Sequence, residues 1–250
     1  AVYLVYLGVL ARFRPSLMPA APAEEGGEVS IGPLLVLAAG PLLLIVAVLG
    51  SILKGIATPT EAAAVGAVGA MFLALISGHL HMETLKDVVY RTTRITAMVF
   101  MILMGASLFS LVFRGFGGDE MIADFLTGLP GGTVTAMVLV MAVMFLLGFV
   151  LDFIEITFVV VPIIGPVLMA MGLDPIWLGV MIALNLQTSF LTPPFGFSLF
   201  YLRGVCPDSV QTSAIYRGVM PFIAIQLMVL GLLAVWPGLV TWLPGVVYPG

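Results

Sequence analysis

Residues 148–204 read GFVLDFIEITFVVVPIIGPVLMAMGLDPIWLGVMIALNLQTSFLTPPFGFSLFYLRG, an apolar stretch interrupted where a membrane helix should run on. Its first part, Asp152 to Met171, has about the 20-residue length of one membrane crossing. Within that length it carries Asp152, Glu155, Thr157, Pro162, Gly165 and Pro166. Proline removes a backbone donor and crowds the preceding turn. Two prolines flanking a glycine therefore predict a re-entrant hairpin over 152–171, entering and leaving on the same side. Such irregular backbone is tolerated only where protein covers it or where it lines an aqueous cavity.

The second part runs from Trp177 through Asn185, Gln187, Thr188 and Ser189 into LTPPFG at 191–196. Polar residues before a double proline predict a helix that opens at Thr192–Gly196. The freed carbonyls, with the hydroxyls of Ser189 and Thr192, are oxygen ligands suited to a hard cation such as sodium. Half-helix N-termini nearby attract an anionic substrate group. A pair of Gly/Pro-interrupted apolar segments points to the binding site of a secondary transporter. The candidate cation- and substrate-binding residues are Asp152, Glu155, Thr157, Asn185, Ser189, Thr192, Pro193, Pro194 and Gly196. The spacing of Asp152 and Glu155 puts both carboxylates on one helical face. Two roles stand open for them: ion coupling, since charge inside a bilayer is costly and usually functional, or capping and anchoring the hairpin, which is favoured.

The rest of the chain sets this stretch in lipid. Of 250 residues, 61% are hydrophobic and 9% charged, and the mean hydropathy is +1.22. A water-soluble fold must present a polar exterior that this composition does not supply. A net charge of −4 offers no basic footprint for nucleic acid. The single cysteine, Cys206, excludes an internal disulfide framework and a multi-cysteine metal site.

Apolar runs predict membrane helices over 34–53, 61–80, 95–113, 133–151 and 219–236, and the tail of one over 1–11 whose start lies upstream of Ala1. Residues 81–94 (HMETLKDVVYRTTR) are polar but periodic and predict either an interfacial amphipathic helix or a helical linker. Small residues in the 61–80 run permit close helix approach. A connection at 114–132 and a Trp- and Pro-rich tail complete the chain. If the chain crosses at each span up to residue 113, Arg12, Arg14, Lys86, Arg91 and Arg94 share one side, against Lys54 and Arg114 on the other. The larger set marks the cytoplasmic side. The organisation expected is 1–14 as the end of a transmembrane helix and 15–32 as an exposed loop. Then follow 33–147 as transmembrane helices, 148–204 as hairpin and broken helix, and 205–250 as a last transmembrane helix with its tail.

Two motifs in this order resemble a known family. Gly55-Ile-Ala-Thr58-Pro59-Thr60-Glu61-Ala-Ala-Ala-Val-Gly66 is similar to a GxxTPTEAAAVG signature of the large membrane subunit of tripartite ATP-independent periplasmic (TRAP) transporters. LTPPFG at 191–196 with LFYLRGVCP at 199–207 is similar to that family's LTPPVG…LF segment. The resemblance implies an all-α polytopic protein of the bacterial inner membrane, this chain being the C-terminal half of an inverted-repeat elevator-type transporter. It further implies sodium coupling, a small membrane subunit and a periplasmic substrate-binding protein as partners, small organic anions as cargo, and no resident cofactor. Phe195 stands where the family has a small valine, a change that bears on the pocket's shape. DFIEITFVVVP is closer to the branch handling 2-oxo acids than to the dicarboxylate branch. The signature also has a structural content: Thr58 or Thr60 caps the following helix, Pro59 presets the turn, and Glu61 sits at the positive helix end.

The rival readings are weaker. An intramembrane aspartyl protease built on Asp152 needs two carboxylates brought together, and no second aspartate sits in a comparable motif. His79 and His81 flank a helix end and read as surface residues rather than zinc ligands. A channel calls for a ring of repeated filter residues. A stand-alone ion-coupled organic-anion carrier shares the broken helices, and the TPTEA run is what separates it from the tripartite design.

Overall fold

The computed structural model describes residues 2–14, 31–193, 196–207 and 210–248, and every element among them is a helix. In chain order these are α1 (Val2–Phe13), α2 (Ile31–Leu53), α3 (Pro59–Ile76), α4 (Met82–Gly115), α5 (Gly118–Thr127) and α6 (Gly132–Leu147). Then come α7 (Phe153–Glu155), a π-helical segment (Ile156–Val160), α8 (Val161–Ala170), α9 (Pro175–Leu191), α10 (Phe197–Val205), α11 (Thr212–Val235) and α12 (Gly238–Val247). Among the described residues, four helices are long and apolar enough to cross a membrane: Pro59–Ile76, Met82–Gly115, Phe153–Ala170 and Thr212–Val235. Most of the loop expected at 15–32, and Pro194 and Phe195 within the signature, lie outside the described residues.

On three points the backbone can be set against expectation. The hairpin expected within 152–171 is a continuous helix, α7 through the π-segment into α8. The π-turn is the physical reason: Val161 N–H bonds to Ile156 O, five residues back. Such a bulge is one of the local adjustments that let a transmembrane helix absorb a proline, here Pro162. The chain reverses instead at 171–174, where Gly172 N–H bonds to Met169 O at 2.9 Å and Leu173 N–H to Leu168 O at 3.3 Å.

On the second point the helical-linker alternative stands: the 81–94 segment and the following span form one helix, α4. No glycine or proline separates them, and the Asp87–Arg91 pair at 2.8 Å supports the join one turn apart. The third adds short helices: α5 lies within the expected 114–132 connection, and α12 within the expected C-terminal tail.

The chain forms two compact units. One comprises residues 7–95 and 247–249. In it α2 packs on α3, with Gly66 against Val48 and Gly69 against Leu44, so close that a methyl group at 69 would collide with that leucine. This is the small-residue packing that the alanine- and glycine-rich sequence predicts. The α2–α3 corner is a Schellman turn: Gly55 N–H bonds to Ile52 O at 2.9 Å and Ile56 N–H to Ser51 O at 2.9 Å. Gly55 takes φ +67° there, a conformation that costs any residue with a Cβ. Thr58 then starts α3 as its N-cap with a complete capping box. Its N–H bonds to Glu61 Oε2 at 2.8 Å, and Glu61 N–H bonds back to Thr58 Oγ1 at 3.4 Å. Of the two threonines, Thr58 is the cap.

The other unit comprises residues 1–6 and 96–246. Its centre is α6, buried through Ala136, Met137, Val140, Met141 and Met144. Against it pack α5, α8 and α9, which contribute Leu126, Leu168, Trp177, Leu178, Met181, Ile182 and Leu186 to one apolar cluster. Trp177 Nε1 donates to Leu233 O at 2.8 Å, tying the start of α9 to the end of α11. A second cluster joins Leu199 of α10 to Ile215, Val219 and Ile223 of α11.

Candidate functional site

At 16 and 17 residues, α6 and α9 span roughly 24–26 Å at 1.5 Å per residue, short of the ~30 Å hydrocarbon core. They run parallel and end together. Asn185 Nδ2 donates to Met141 O at 2.9 Å, and Ser189 Oγ donates to Phe145 O at 2.7 Å. Two donors one turn apart on α9 thus bond two carbonyls one turn apart on α6. The second bond closes the end of α6: Phe149 N–H turns to Leu146 O at 3.2 Å, so the Ser189 hydroxyl caps the Phe145 carbonyl. Gly148 lies so near that a methyl group there would come within 2.9 Å of Ser189 Cβ.

The end of α9 is the break that the sequence predicts. Thr192 leaves the helix at φ −88°, ψ 128°, with its N–H bonded to Ser189 O at 3.0 Å. Its hydroxyl donates to Thr188 O at 2.7 Å. The chain folds back so that Gly196 lies against this terminus, and α10 begins at Phe197. A Cβ on Gly196 would stand 2.9 Å from both Phe190 O and Thr192 O. Those are backbone atoms, so only glycine admits this approach. Two carbonyl oxygens at the end of α9 thus pack against Gly196 beside the N-terminus of α10.

The start of α7 joins them. Phe153 and Phe190 pack edge to face with ring centroids 6.3 Å apart, and Asp152 caps α7 by accepting from Phe153 N–H at 2.7 Å. Four helix ends meet at this junction: the carbonyl ends of α6 and α9, which favour a cation, and the amide ends of α7 and α10, which favour an anion.

Of the sequence-derived candidates, Ser189, Thr192 and Gly196 lie at this junction, Asp152 caps α7 at its edge, and Asn185 stands one turn back on α9. Pro193 sits in the turn of the break, and Pro194 is outside the described residues. Glu155 is half-buried one turn into the helix, and Thr157 is an exposed residue of the π-segment. Gln187 is also exposed, on another side of α9. Asn185, Thr188 and Ser189 are buried, at 3%, 0% and 0% exposure. Asn185 and Ser189 donate to carbonyls of α6, and Thr188 donates to Leu184 O of its own helix. Their oxygen lone pairs, and the second amide N–H of Asn185, remain for a ligand.

A second feature escaped the sequence reading. Ser107, Ser110 and Arg114 stand on one face of α4 and line a cavity of about 360 Å³ with Phe158 of the π-segment and Pro162 of α8. Arg114 Nε pairs with Asp119 at 3.2 Å, and a guanidinium has further donors beyond that one. The spacing of serine, serine and arginine at i, i+3 and i+7 was the available signal.

The family model for the tripartite ATP-independent periplasmic transporter, DctM component, matches residues 2–239. The sialic acid TRAP transporter large permease protein SiaM of Vibrio cholerae is 31% identical over 204 residues, 81% of this chain and 47% of that protein. The C4-dicarboxylate TRAP transporter large permease protein DctM of Pseudomonas aeruginosa is 31% identical over the same length, again 81% and 47%. The isethionate TRAP transporter permease protein DctMQ of Oleidesulfovibrio alaskensis is 30% identical over 194 residues, 76% of this chain and 30% of that protein. The chain thus spans about half the length, or less, of these relatives.

Proposed function

The chain belongs to the DctM component family of tripartite ATP-independent periplasmic transporters, a family of transporters rather than enzymes, and on that footing we propose that it forms part of a sodium-coupled permease importing small organic anions. The observation that carries the proposal is the junction of four helix ends around Gly196. Carbonyls of Phe190 and Thr192 pack against it, and a broken helix of this kind is how secondary transporters present oxygen ligands to a coupling ion without a buried counter-charge. Sodium binds among these carbonyls and the lone pairs of Ser189 and Thr192.

The cargo anion is held on the α4 side, where Arg114, Ser107 and Ser110 offer a positive charge and hydroxyls. The relatives are named for sialic acid, C4-dicarboxylates and isethionate. Each of these is a small organic acid whose anionic group an arginine and two serines would recognise, and a 2-oxo acid belongs to the same class. The protein lies in the bacterial inner membrane, with Arg12, Arg14, Lys86, Arg91 and Arg94 on the cytoplasmic side. It works with a periplasmic substrate-binding protein and a small membrane subunit; the DctMQ name of one relative fits such pairing.

The test is uptake of a labelled panel (a 2-oxo acid, a C4-dicarboxylate and a sialic acid) into proteoliposomes holding the complete permease with its small subunit. The proposal expects uptake of one class that requires the binding protein. Uptake at the same rate without it would favour a stand-alone carrier of the same design.

A further inference from the structure

The cavity beside Arg114 has two walls that differ in what they offer a guest. On α4, Ser107 Oγ donates to Leu103 O at 2.8 Å, so its hydrogen is committed and only its lone pairs are left. On the other wall stand Phe158 and Pro162, four positions apart and therefore on one helical face. In a regular α-helix the N–H of residue 162 would bond to Phe158 O, and proline has no N–H to give. The preceding residue does not make up the loss. Val161 N–H is drawn to Ile156 O by the π-turn rather than to Thr157 O. Two successive donors are thus withdrawn where the helix borders the cavity, and the gap between Phe158 and Pro162 opens on its wall. Turns of this kind are frequent at functional sites.

A carbonyl left without a donor in an apolar setting is costly until one reaches it. The cavity therefore presents two hungry acceptors, Phe158 O and Ser107 Oγ. Ser110 brings a single hydroxyl hydrogen, which serves one acceptor at a time. Arg114, with its Nε on Asp119 at 3.2 Å, keeps its terminal nitrogens for an anionic group. An oxo group or a second carboxylate would add acceptors and leave both oxygens unpaired. A hydroxyl brings the missing hydrogen. We infer that the cargo of this site is a small hydroxy acid, held by its anionic group on Arg114 and by a hydroxyl that donates to the carbonyl freed at Pro162. This deepens the placing of cargo at Arg114 proposed above and rests on it. A site built to bond a hydroxyl rejects the analogue lacking it far more sharply than an apolar pocket does.

Matched acids test it, on the complete permease with its small subunit in nanodiscs and without the binding protein, whose own selectivity then does not enter. Equilibrium binding is measured by calorimetry in sodium buffer for lactate, pyruvate and propionate, and for 3-hydroxybutyrate, acetoacetate and butyrate. In at least one set the hydroxy acid is expected to bind about tenfold tighter than its oxo and unsubstituted counterparts. Arg114→Gln should weaken every acid of that set alike. Pro162→Ala supplies an N–H for Phe158 O and should erase most of the preference for the hydroxy acid while leaving the oxo acid unchanged. Ser107→Ala, which removes the other acceptor from a helical position where alanine is well tolerated, should lower the preference too, and carries the test if the Pro162 variant does not fold. Binding that depends on Arg114 but treats the three acids of each set alike would overturn the inference and leave the cargo site standing. A preference that survives both Pro162→Ala and Ser107→Ala would also overturn it. Binding indifferent to Arg114→Gln, or no binding of any of the six acids, would overturn the cargo site and the inference together.

Discussion

The hydroxyl of Ser189 donates to the carbonyl of Phe145 at 2.7 Å, closing the open end of one short membrane helix with a side chain from the last turn of another. Both helices stop inside the expected thickness of the bilayer because each end has a partner. Without Ser189 the Phe145 carbonyl is orphaned in an apolar setting. Ser189→Ala is expected to lower stability by about 1 kcal/mol, the scale of interhelical hydrogen bonds in membranes. It is also expected to slow uptake more than this loss of folded protein explains. Thermal unfolding in lipid nanodiscs alongside initial uptake rates separates the two effects.

Gly196→Ala puts a methyl group 2.9 Å from the carbonyl oxygens of Phe190 and Thr192. The backbone must move, and the packing of these carbonyls is lost with it. Uptake is expected to fall by an order of magnitude or more. Gly204→Ala is the control, because a Cβ there meets nothing within 4 Å and glycine in a helix costs about 0.5–1 kcal/mol relative to alanine. That variant should be as stable as the parent or more so, with unchanged transport.

The signature at 55–61 is predicted to act through folding. Thr58→Ala removes the N-cap of α3 and should cost about 1 kcal/mol. Glu61→Gln keeps a side chain able to close the capping box and should cost much less. Gly55→Ala forces φ +67° on a residue with a Cβ, at about 1–2 kcal/mol. Thermal unfolding of the three variants gives the order, and equal losses for Thr58→Ala and Glu61→Gln would refute the capping account.

These particulars also show where the sequence was legible. The break at Thr192–Gly196 follows from a double proline behind polar residues, and the capping box from Thr-Pro-Thr-Glu. Both are local chemistry, and both stand in the structure. The hairpin expected at 152–171 misled because proline's cost depends on the turn before it, and the π-turn at 156–160 absorbs Pro162 without a reversal. The roles of Phe145 and Met141 were invisible because their functional atoms are carbonyls, which every residue carries. Only the pairing of α6 with α9 selects them. Phe153 and Phe190 met the same difficulty: 37 positions apart by their numbers, they touch only because α7 starts where α9 ends.

Gln226 is 5% exposed, and its Oε1 has no hydrogen-bond partner among the described residues. A buried unpaired acceptor costs about 1–3 kcal/mol, while the same side chain hydrogen-bonds Tyr3, so the two effects of Gln226→Leu offset and little net change in stability is expected. A clear fall in unfolding temperature would show that the amide oxygen has a partner in the assembled transporter. Gln226→Glu, which adds a charge at the same place, should be strongly destabilising.

The central claim, that the junction at Thr192–Gly196 holds the coupling ion, is tested most directly by the sodium dependence of uptake in proteoliposomes of the complete transporter. Parent, Thr192→Ser and Thr192→Ala are compared at saturating cargo. The account predicts uptake that requires sodium. The half-saturating sodium concentration should rise about tenfold in Thr192→Ala, equivalent to ~1.4 kcal/mol of ion binding, and stay near the parent value in Thr192→Ser, which keeps the hydroxyl. Uptake independent of sodium, or one sodium dependence shared by all three proteins, would contradict it.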